Sequence, residues 1–259
     1  MNIVVLLKAV PVVGTERLDD GHLTQRGGGL EANGNDEYVL EAALKLIEAH
    51  GGELTLLTMG PASALDALRK ALAMGATRAV HVADPAITGS DAPASVEILA
   101  AALRKLQFDL VFAGADTSDG QGGVVGAALA ARLGLPYLSY ASKIEPAPDG
   151  SSVRIHRISS TGYDVLEAPT PALVMGTQVL GEPRYPSLRG IMQARSKPIE
   201  TWSLADLGLD AGPVGSGAAT TQVLSAKAPP PRAGAQVLRG PADEVVAQVV
   251  DFLASRRMI

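Results

Sequence analysis

Short apolar runs separated by stretches of helical periodicity set the pattern of this chain. Asn2 to Leu7 (NIVVLL), Glu53 to Thr58 (ELTLLT), Ala79 to Val82 and Leu110 to Ala113 show no polar and apolar alternation, as expected of strands covered on both faces. Between the first two, Glu37 to Ala49 repeats Val39, Leu40, Ala43, Leu44 and Ile47 at helical spacing. Ser63 to Met74 is a second helix, stopped by Gly75, and a third from about Ala92 to Leu106 follows Ser90 or Asp91 as cap. Val124 to Leu133 is a fourth, ending at Gly134. This alternation predicts an α/β fold with a doubly wound, mostly parallel sheet. Ligands of such sheets sit past the carboxyl ends of the strands where strand order reverses, so the strand ends at Leu7, Thr58 and Gly114 are expected to border one crevice.

After Pro136 the rhythm changes. Tyr137 to Ile144, Val153 to Ile158, Asp164 to Glu167 and Leu173 to Thr177 read as strands without long helices between them. With Asp149 and Gly150 as a hairpin turn, they predict an antiparallel extension of the sheet. Pro11 is expected to end the first ladder. Gly14 to Asn35, with Gly27, Gly28 and Gly29 in a row, is too long for a bare connector and reads as a small hairpin or a lid. Beyond Leu209 the chain turns rich in Gly, Ala, Ser and Thr, then Ala228 to Pro231 forms a proline run, the composition of an extended arm. Asp243 to Arg256 is an amphipathic helix (Val245, Val246, Val249, Val250, Phe252, Leu253) that must bury its apolar face on this domain or on another chain. The expected division is therefore 1–209 and 210–259.

Composition narrows the function classes. A chain of 259 residues can bury a sizeable core unaided, and with no cysteine it has no disulfide framework, thiolate zinc site or cysteine nucleophile. A formal net charge of -5, with no basic cluster interleaved with aromatics, argues against nucleic-acid binding. Met1 to Leu7 runs into Lys8 rather than a cleavage site, and no apolar run reaches membrane-spanning length, so a cytoplasmic location is expected. His22, His50, His81 and His156 are scattered without metal-ligand spacing, and no GxSxG elbow is present. Ser118 beside Asp119 has no histidine near it in sequence, so neither a catalytic set nor a metal site is expected.

The most suggestive stretch is Asp109 to Pro136, DLVFAGADTSDGQGGVVGAALAARLGLP. Strand, glycine turn and helix aim unpaired backbone N–H groups past the strand end, which suits a phosphate. Gly120, Gly122 and Gly123 let backbone close on a pyrophosphate, and Asp119 could cap the turn or hold a ribose hydroxyl. The plainer reading is an ordinary connection whose glycines only turn the chain. Lys8 either holds phosphate as a point charge or is simply solvated. Asn33 to Asp36 either belongs to the site or is a helix cap and nothing else, with Asn35 or Asp36 as the cap. Gly181 to Lys197 places Tyr185, Leu188, Ile191 and Met192 among arginines, suiting a partner surface or, equally, a helix facing its own core.

Together the Lys8 to Pro11 turn, NGNDEYVLE from Asn33, RKALAMGATRAVHV from Arg69, the Asp119 to Gly126 turn and above all EPRYPSLRGIMQARSKPI from Glu182 resemble the β subunit of electron transfer flavoprotein, from residue 2 to about Leu209. The resemblance implies an adenine nucleotide α-hydrolase-like sheet and a heterodimer whose α subunit carries most of the redox FAD. It also implies a structural AMP in the β subunit, or a second FAD in electron-bifurcating members. By position, the nucleotide contacts fall on Leu6, on Asn33, Gly34, Asn35 and Asp36, on Met59, and on Leu110 to Gly126, which includes Gly114, Asp119, Gly120, Gln121, Gly122, Gly123, Val124, Val125 and Gly126. Lys8 joins them from its strand end. The recognition loop that meets acyl-CoA or other flavin dehydrogenases is Arg184, Tyr185, Pro186, Ser187, Leu188 and Arg189, continuing to Ile191 and Met192, with Leu188 as the inserted leucine. The implied role is an electron carrier without catalytic residues of its own, passing electrons to a respiratory or membrane acceptor of the quinone oxidoreductase type, with the C-terminal arm on the partner subunit. Many relatives have aspartate at Gln121, glutamine at Val124 and an aromatic or proline in the run at Gly34 and Asn35. Those departures favour AMP over a second FAD. A stand-alone universal-stress-type nucleotide binder and a nucleotide hydrolase are the competing classes.

Overall fold

The first strand, β1 (Asn2–Leu6), lies in the middle of a nine-stranded sheet and decides the position of everything around it. The structure is a computed structural model that describes residues 1–18, 24–26, 29–210, 212, 214–226, 234 and 237–259. His22, Gly27, Gly28 and the Ala228 to Pro231 run lie outside the described residues. After β1 the chain makes β2 (Ala9–Pro11) and β3 (Leu30–Ala32), a small antiparallel pair with Pro11 opposite Leu30. The hairpin reading of 14–35 thus holds at its base. Pro11 is the last residue of β2, so strand pairing stops at the proline as expected, in a separate two-stranded ribbon where its missing N–H is tolerated.

Helix α1 (Gly34–His50), β4 (Glu53–Met59), α2 (Ala64–Met74), β5 (Arg78–Val82), α3 (Ala92–Arg104), β6 (Leu110–Gly114) and α4 (Val125–Leu133) follow in βα alternation. Then come β7 (Tyr137–Pro146), β8 (Ser152–Ser159), β9 (Gly162–Pro169), β10 (Ala172–Gly176), α5 (Leu188–Ala194), β11 (Ile199–Trp202) and α6 (Ala242–Ser255). The strand order is β11-β5-β4-β1-β6-β10-β7-β8-β9. From β1 the chain steps to β4 on one side and to β6 on the other, and both pair parallel with it. That reversal is the switch point anticipated from the pattern.

The absence of alternation in the central strands has a direct cause in the packing. Ile3, Val5, Leu54, Leu56, Leu110 and Phe112 face one layer with Leu40, Leu44, Leu68 and Leu72 of α1 and α2. Their neighbours Val4, Leu57, Val80, Val111 and Ala113 face the other, with Ile98, Leu103 and Leu129 of α3 and α4. Each face is covered, so most positions are apolar, and the polar exceptions inside the strands, Thr55 and Thr58 of β4 and His81 of β5, are buried as well. Phe112 is wholly out of solvent, and truncating such a side chain costs about 3–5 kcal/mol.

Two elements depart from the sequence reading. The strand at Leu173 does not belong to the antiparallel extension: β10 returns to the sheet centre and pairs parallel with both β6 and β7. Its residues are all buried, as a strand between two others requires. The antiparallel extension itself is β7, β8 and β9. Strand β11, half-exposed at the far edge, carries no comparable apolar signal.

The chain divides into two compact units, Met1–Leu224 and Ser225–Ile259. Residues just beyond Leu209 are not an arm in the first unit: Val214 is buried, Ser90 Oγ accepts the Gly215 N–H at 2.8 Å, and Asp91 takes both N–H groups of Thr220 and Thr221. The second unit contains the amphipathic α6. Among the described residues, no helix is long and apolar enough to cross a membrane.

Candidate functional site

Beyond the carboxyl ends of β1, β4 and β6 lies a cavity of about 360 Å³. Leu6, Leu57, Met59 and Leu99 give it apolar walls, and the backbone of Gly120, Gly122, Gly123 and Val124 forms a rim leading into α4. Among the described residues no side chain caps α4, and its first residues, Val125 and Gly126, also line the cavity. An uncapped helix start leaves backbone N–H groups without intrahelical partners and the positive end of the helix dipole facing the space. Gly123 sits at φ +61°, a conformation that a β-branched residue resists strongly. Gln121 adopts the same left-handed region at φ +46° while its N–H donates to Thr117 O at 2.8 Å.

Behind the rim a polar lattice holds the turn in place. Helix α1 begins at Gly34, three positions ahead of the anticipated Glu37, with Asn33 as the residue before it, so neither Asn35 nor Asp36 is the cap. The Asn33 side chain makes no cap bond. Instead Nδ2 donates to Asp116 O at 2.8 Å and Oδ1 accepts the Ser118 N–H at 3.1 Å, pinning the turn after β6 to the start of α1. Asn35 adds a bond from Nδ2 to Asp116 Oδ1 at 2.6 Å. Only 2 % of Asn33 is exposed, so its amide is committed to this task.

Asp36 is buried too, and its Oδ2 accepts the Lys8 N–H at 2.7 Å. Burial pushes its carboxyl up to about 7, against the opposing hydrogen bonds from Lys8, Asn33 and Gly114. This packing explains Gly114. A Cβ there would overlap Asp36 Oδ1 and come within 2.9 Å of the Asn35 Cβ, so the strand end and the helix start meet only with glycine between them.

Asp119 is the centre of an ion cluster. Lys8 Nζ donates to its Oδ1 at 2.9 Å, and the Arg26 guanidinium pairs with Oδ2 while also donating to Ala9 O at 2.7 Å. Burial alone would raise the Asp119 carboxyl, but the hydrogen bond and charge of Lys8, the charge of Arg26 and the Thr117 hydroxyl outweigh it and hold it down at about 2. Lys8 borders the cavity, whereas Asp119 does not. Thus the Asp119 carboxylate restrains two cations and the turn rather than presenting itself to the cavity.

Of the candidate nucleotide residues, Leu6, Lys8, Asp36, Met59, Gly114, Gly120, Gly122, Gly123, Val124, Val125 and Gly126 surround the cavity. Asn33, Gly34, Asn35, Asp119 and Gln121 do not line it, and Gly34 and Gln121 are exposed. The start of α3, through Ser90, Asp91, Ser95 and Leu99, completes the wall and was not anticipated. Its signal was Asp91, which accepts the Ala94 N–H at 3.1 Å: a helix that begins at the carboxyl end of β5 begins at the crevice.

The second region is the loop into α5. Ser187 Oγ accepts the Gly190 N–H at 3.0 Å and starts the helix. Tyr185 is 96 % exposed, Leu188 83 % and Met192 73 %, and Ile191 is exposed as well. Ala194 is the buried residue of α5, so its other apolar side chains do not face the chain's own core. Among the described residues no group of acids and histidines could hold a metal ion.

Fold and crevice together define a doubly wound α/β protein with its switch-point cavity at the carboxyl edge of β1, β4 and β6. A family model described as "Electron transfer flavoprotein domain" matches residues 21–207. The "Electron transfer flavoprotein subunit beta" of Clostridium acetobutylicum is 36% identical over 261 residues, covering 100% of both chains. That of Mycobacterium bovis is 37% identical, covering 100% of this chain and 99% of its own, and the "Caffeyl-CoA reductase-Etf complex subunit CarD" of Acetobacterium woodii is 35% identical with 100% of both covered. The chain belongs to the electron transfer flavoprotein β-subunit family.

Proposed function

We propose that this chain pairs with a flavin-bearing α subunit, holds AMP in the switch-point cavity as a structural element, and offers the Tyr185 to Leu188 loop to a flavin dehydrogenase that delivers electrons to the heterodimer. Electrons then leave to a respiratory or membrane acceptor, and the C-terminal unit, 225–259, serves as the arm on the α subunit. The observation that carries the docking role is the exposure of Tyr185 and Leu188 on a loop whose base is held in place. Large apolar side chains in water at the tip of a rigid support suit a small anchor-type interface, with rapid release after each electron transfer.

The cavity residues suit an adenine nucleotide on three grounds. Apolar walls from Leu6, Met59 and Leu99 match a base, the free N–H groups at the start of α4 match a phosphate, and Lys8 adds positive charge at the rim. Bound there, AMP supplies packing and charge rather than redox chemistry. The protein's part is to orient it and exclude water. Electron transfer needs no general acid or base from this chain, in keeping with Ser118 having no histidine close in sequence.

Co-expression with the α subunit is the direct test. Purified heterodimer should be yellow and release one AMP per pair, identified by mass spectrometry; a second FAD in its place moves the chain to the bifurcating class, and absence of any adenine nucleotide overturns the site. Gly123→Val should abolish the AMP while Gly34→Ala, whose Cβ would meet nothing, retains it. Leu188→Ala should raise the KM of the heterodimer toward its dehydrogenase about tenfold, with flavin and AMP content unaltered.

A further inference from the structure

Arg184 stands at the entrance to the exposed loop, yet it points back into the protein. Its backbone N–H donates to Glu41 Oε2 at 3.1 Å, its Nε to the same oxygen at 2.8 Å, and its Nη2 to Glu41 Oε1 at 3.0 Å. Nη1 pairs with Glu48 Oε1, and Nη2 also reaches Glu48 Oε2 at 3.1 Å. The two glutamates lie two turns apart on α1, one above the other on the side that meets the loop. The Glu41 side chain is 5 % exposed and has Lys45 Nζ 3.6 Å away as a further neighbour. Both glutamates hold the Arg184 guanidinium charged, Glu48 and then Glu41 through hydrogen bonds.

The far side of the loop is tied down as firmly. Arg69 of α2 donates to Ala194 O at 2.7 Å and to Lys197 O at 2.8 Å, and Lys197 Nζ donates to Leu72 O at 2.9 Å. Gly190 lies so close to Ala73 O that a Cβ would overlap it. Between these two fastenings the apolar tips stand in water.

We propose that Arg184 is a positioning residue, not a contact for the partner: its double fork onto Glu41 and Glu48 clasps the loop to α1 and presets Tyr185 and Leu188 for docking. The proposal rests on the reading of this loop as the dehydrogenase surface. A guanidinium has five N–H donors, and four bonds from this one already go to the two carboxylates, leaving little for another molecule. A planar fork bridging two carboxylates is a task lysine cannot reproduce, because a point charge on a flexible stem fixes no orientation. Holding the loop before encounter removes the ordering cost that docking would otherwise carry.

The test uses the intact heterodimer and whichever purified acyl-CoA dehydrogenase, kept reduced by its acyl-CoA substrate, reduces the wild-type flavin. Arg184→Lys keeps a positive charge for a partner but loses the fork. Glu41→Gln alters a side chain that no partner can touch, and Glu48→Gln alters an exposed one that leaves the interior intact. Each of Arg184→Lys and Glu41→Gln should raise KM roughly fivefold with kcat within about twofold, and the double variant should be no worse than either single one. Glu48→Gln should move KM the same way by less, and AMP and flavin content should stay at the wild-type level in all of them. A direct contact gives a different pattern: KM restored in Arg184→Lys and unchanged in Glu41→Gln, which overturns the proposal. If Leu188→Ala also leaves KM unchanged, the docking reading itself fails; if Leu188→Ala raises KM and Glu41→Gln does not, the clasp alone fails.

Discussion

The crevice and the loop into α5 are built on opposite plans. At the crevice, polar groups are buried and matched: Asn33 bonds Asp116 and Ser118, Asp36 bonds Lys8, and Asp119 pairs with Lys8 and Arg26, all to hold one glycine turn. At the loop, the apolar groups Tyr185, Leu188 and Met192 face water, and the matched ions, Arg184 with Glu41 and Glu48, sit behind them. A site that keeps its ligand needs a rim that does not move. A surface that meets its partner briefly needs free apolar tips on a fixed base. Helix α1 serves both plans, with Asp36 near its start at the crevice and Glu41 and Glu48 further along under the loop.

This contrast predicts that substitutions at the crevice are costly for folding and that those at the loop tips are not. Gly114→Ala should have the largest effect, lowering stability by about 3 kcal/mol in denaturant melts because its Cβ must displace Asp36 or Asn35. Unchanged stability there would mean that α1 and β6 need not meet so closely. Next is a pH slope. The Asp36 carboxyl rises from 3.8 to about 7 on folding, so the folded state binds the extra proton between those values. Its contribution to stability is complete below about pH 4 and is lost as pH rises through about 7. Asp36→Asn should remove that slope across the window, read from melting temperatures at a series of pH values.

Asp119→Asn should cost about 1–2 kcal/mol at neutral pH, since it leaves Lys8 and Arg26 adjacent without their carboxylate. In the parent protein the contribution of Asp119 is complete above about pH 4 and fades as pH falls toward about 2. That is opposite in sign to Asp36, so the two variants should part in acid. The smallest effect belongs to Leu188→Ala, within about 0.5 kcal/mol of the parent. A much larger loss would place Leu188 in packing and erase the distinction between the two regions.

Much of this molecule was written along the chain itself. Continuous apolar runs at Asn2, Glu53, Arg78 and Leu110 separated by periodic helices were enough to foresee a doubly wound sheet and a crevice at the ends of β1, β4 and β6, because burial on both faces removes the alternation of a half-exposed strand. The glycine turn was legible because residue type limits what the backbone allows, whereas the apolar residues near Leu188 fitted a partner surface and a core-facing helix equally until the fold left them exposed. Long-range partners were not. That Asn33 reaches Asp116 and Ser118, that Asp119 holds Lys8 and Arg26, and that Arg184 turns back onto α1 depend on which segments the sheet brings together, 83 to 143 residues apart in the chain. The placement of β10 shows the same limit. Its apolar run announced a buried strand, but only pairing with β6 and β7 decided that it runs parallel at the centre, since strand order is set by the packing of whole layers and not by any one run.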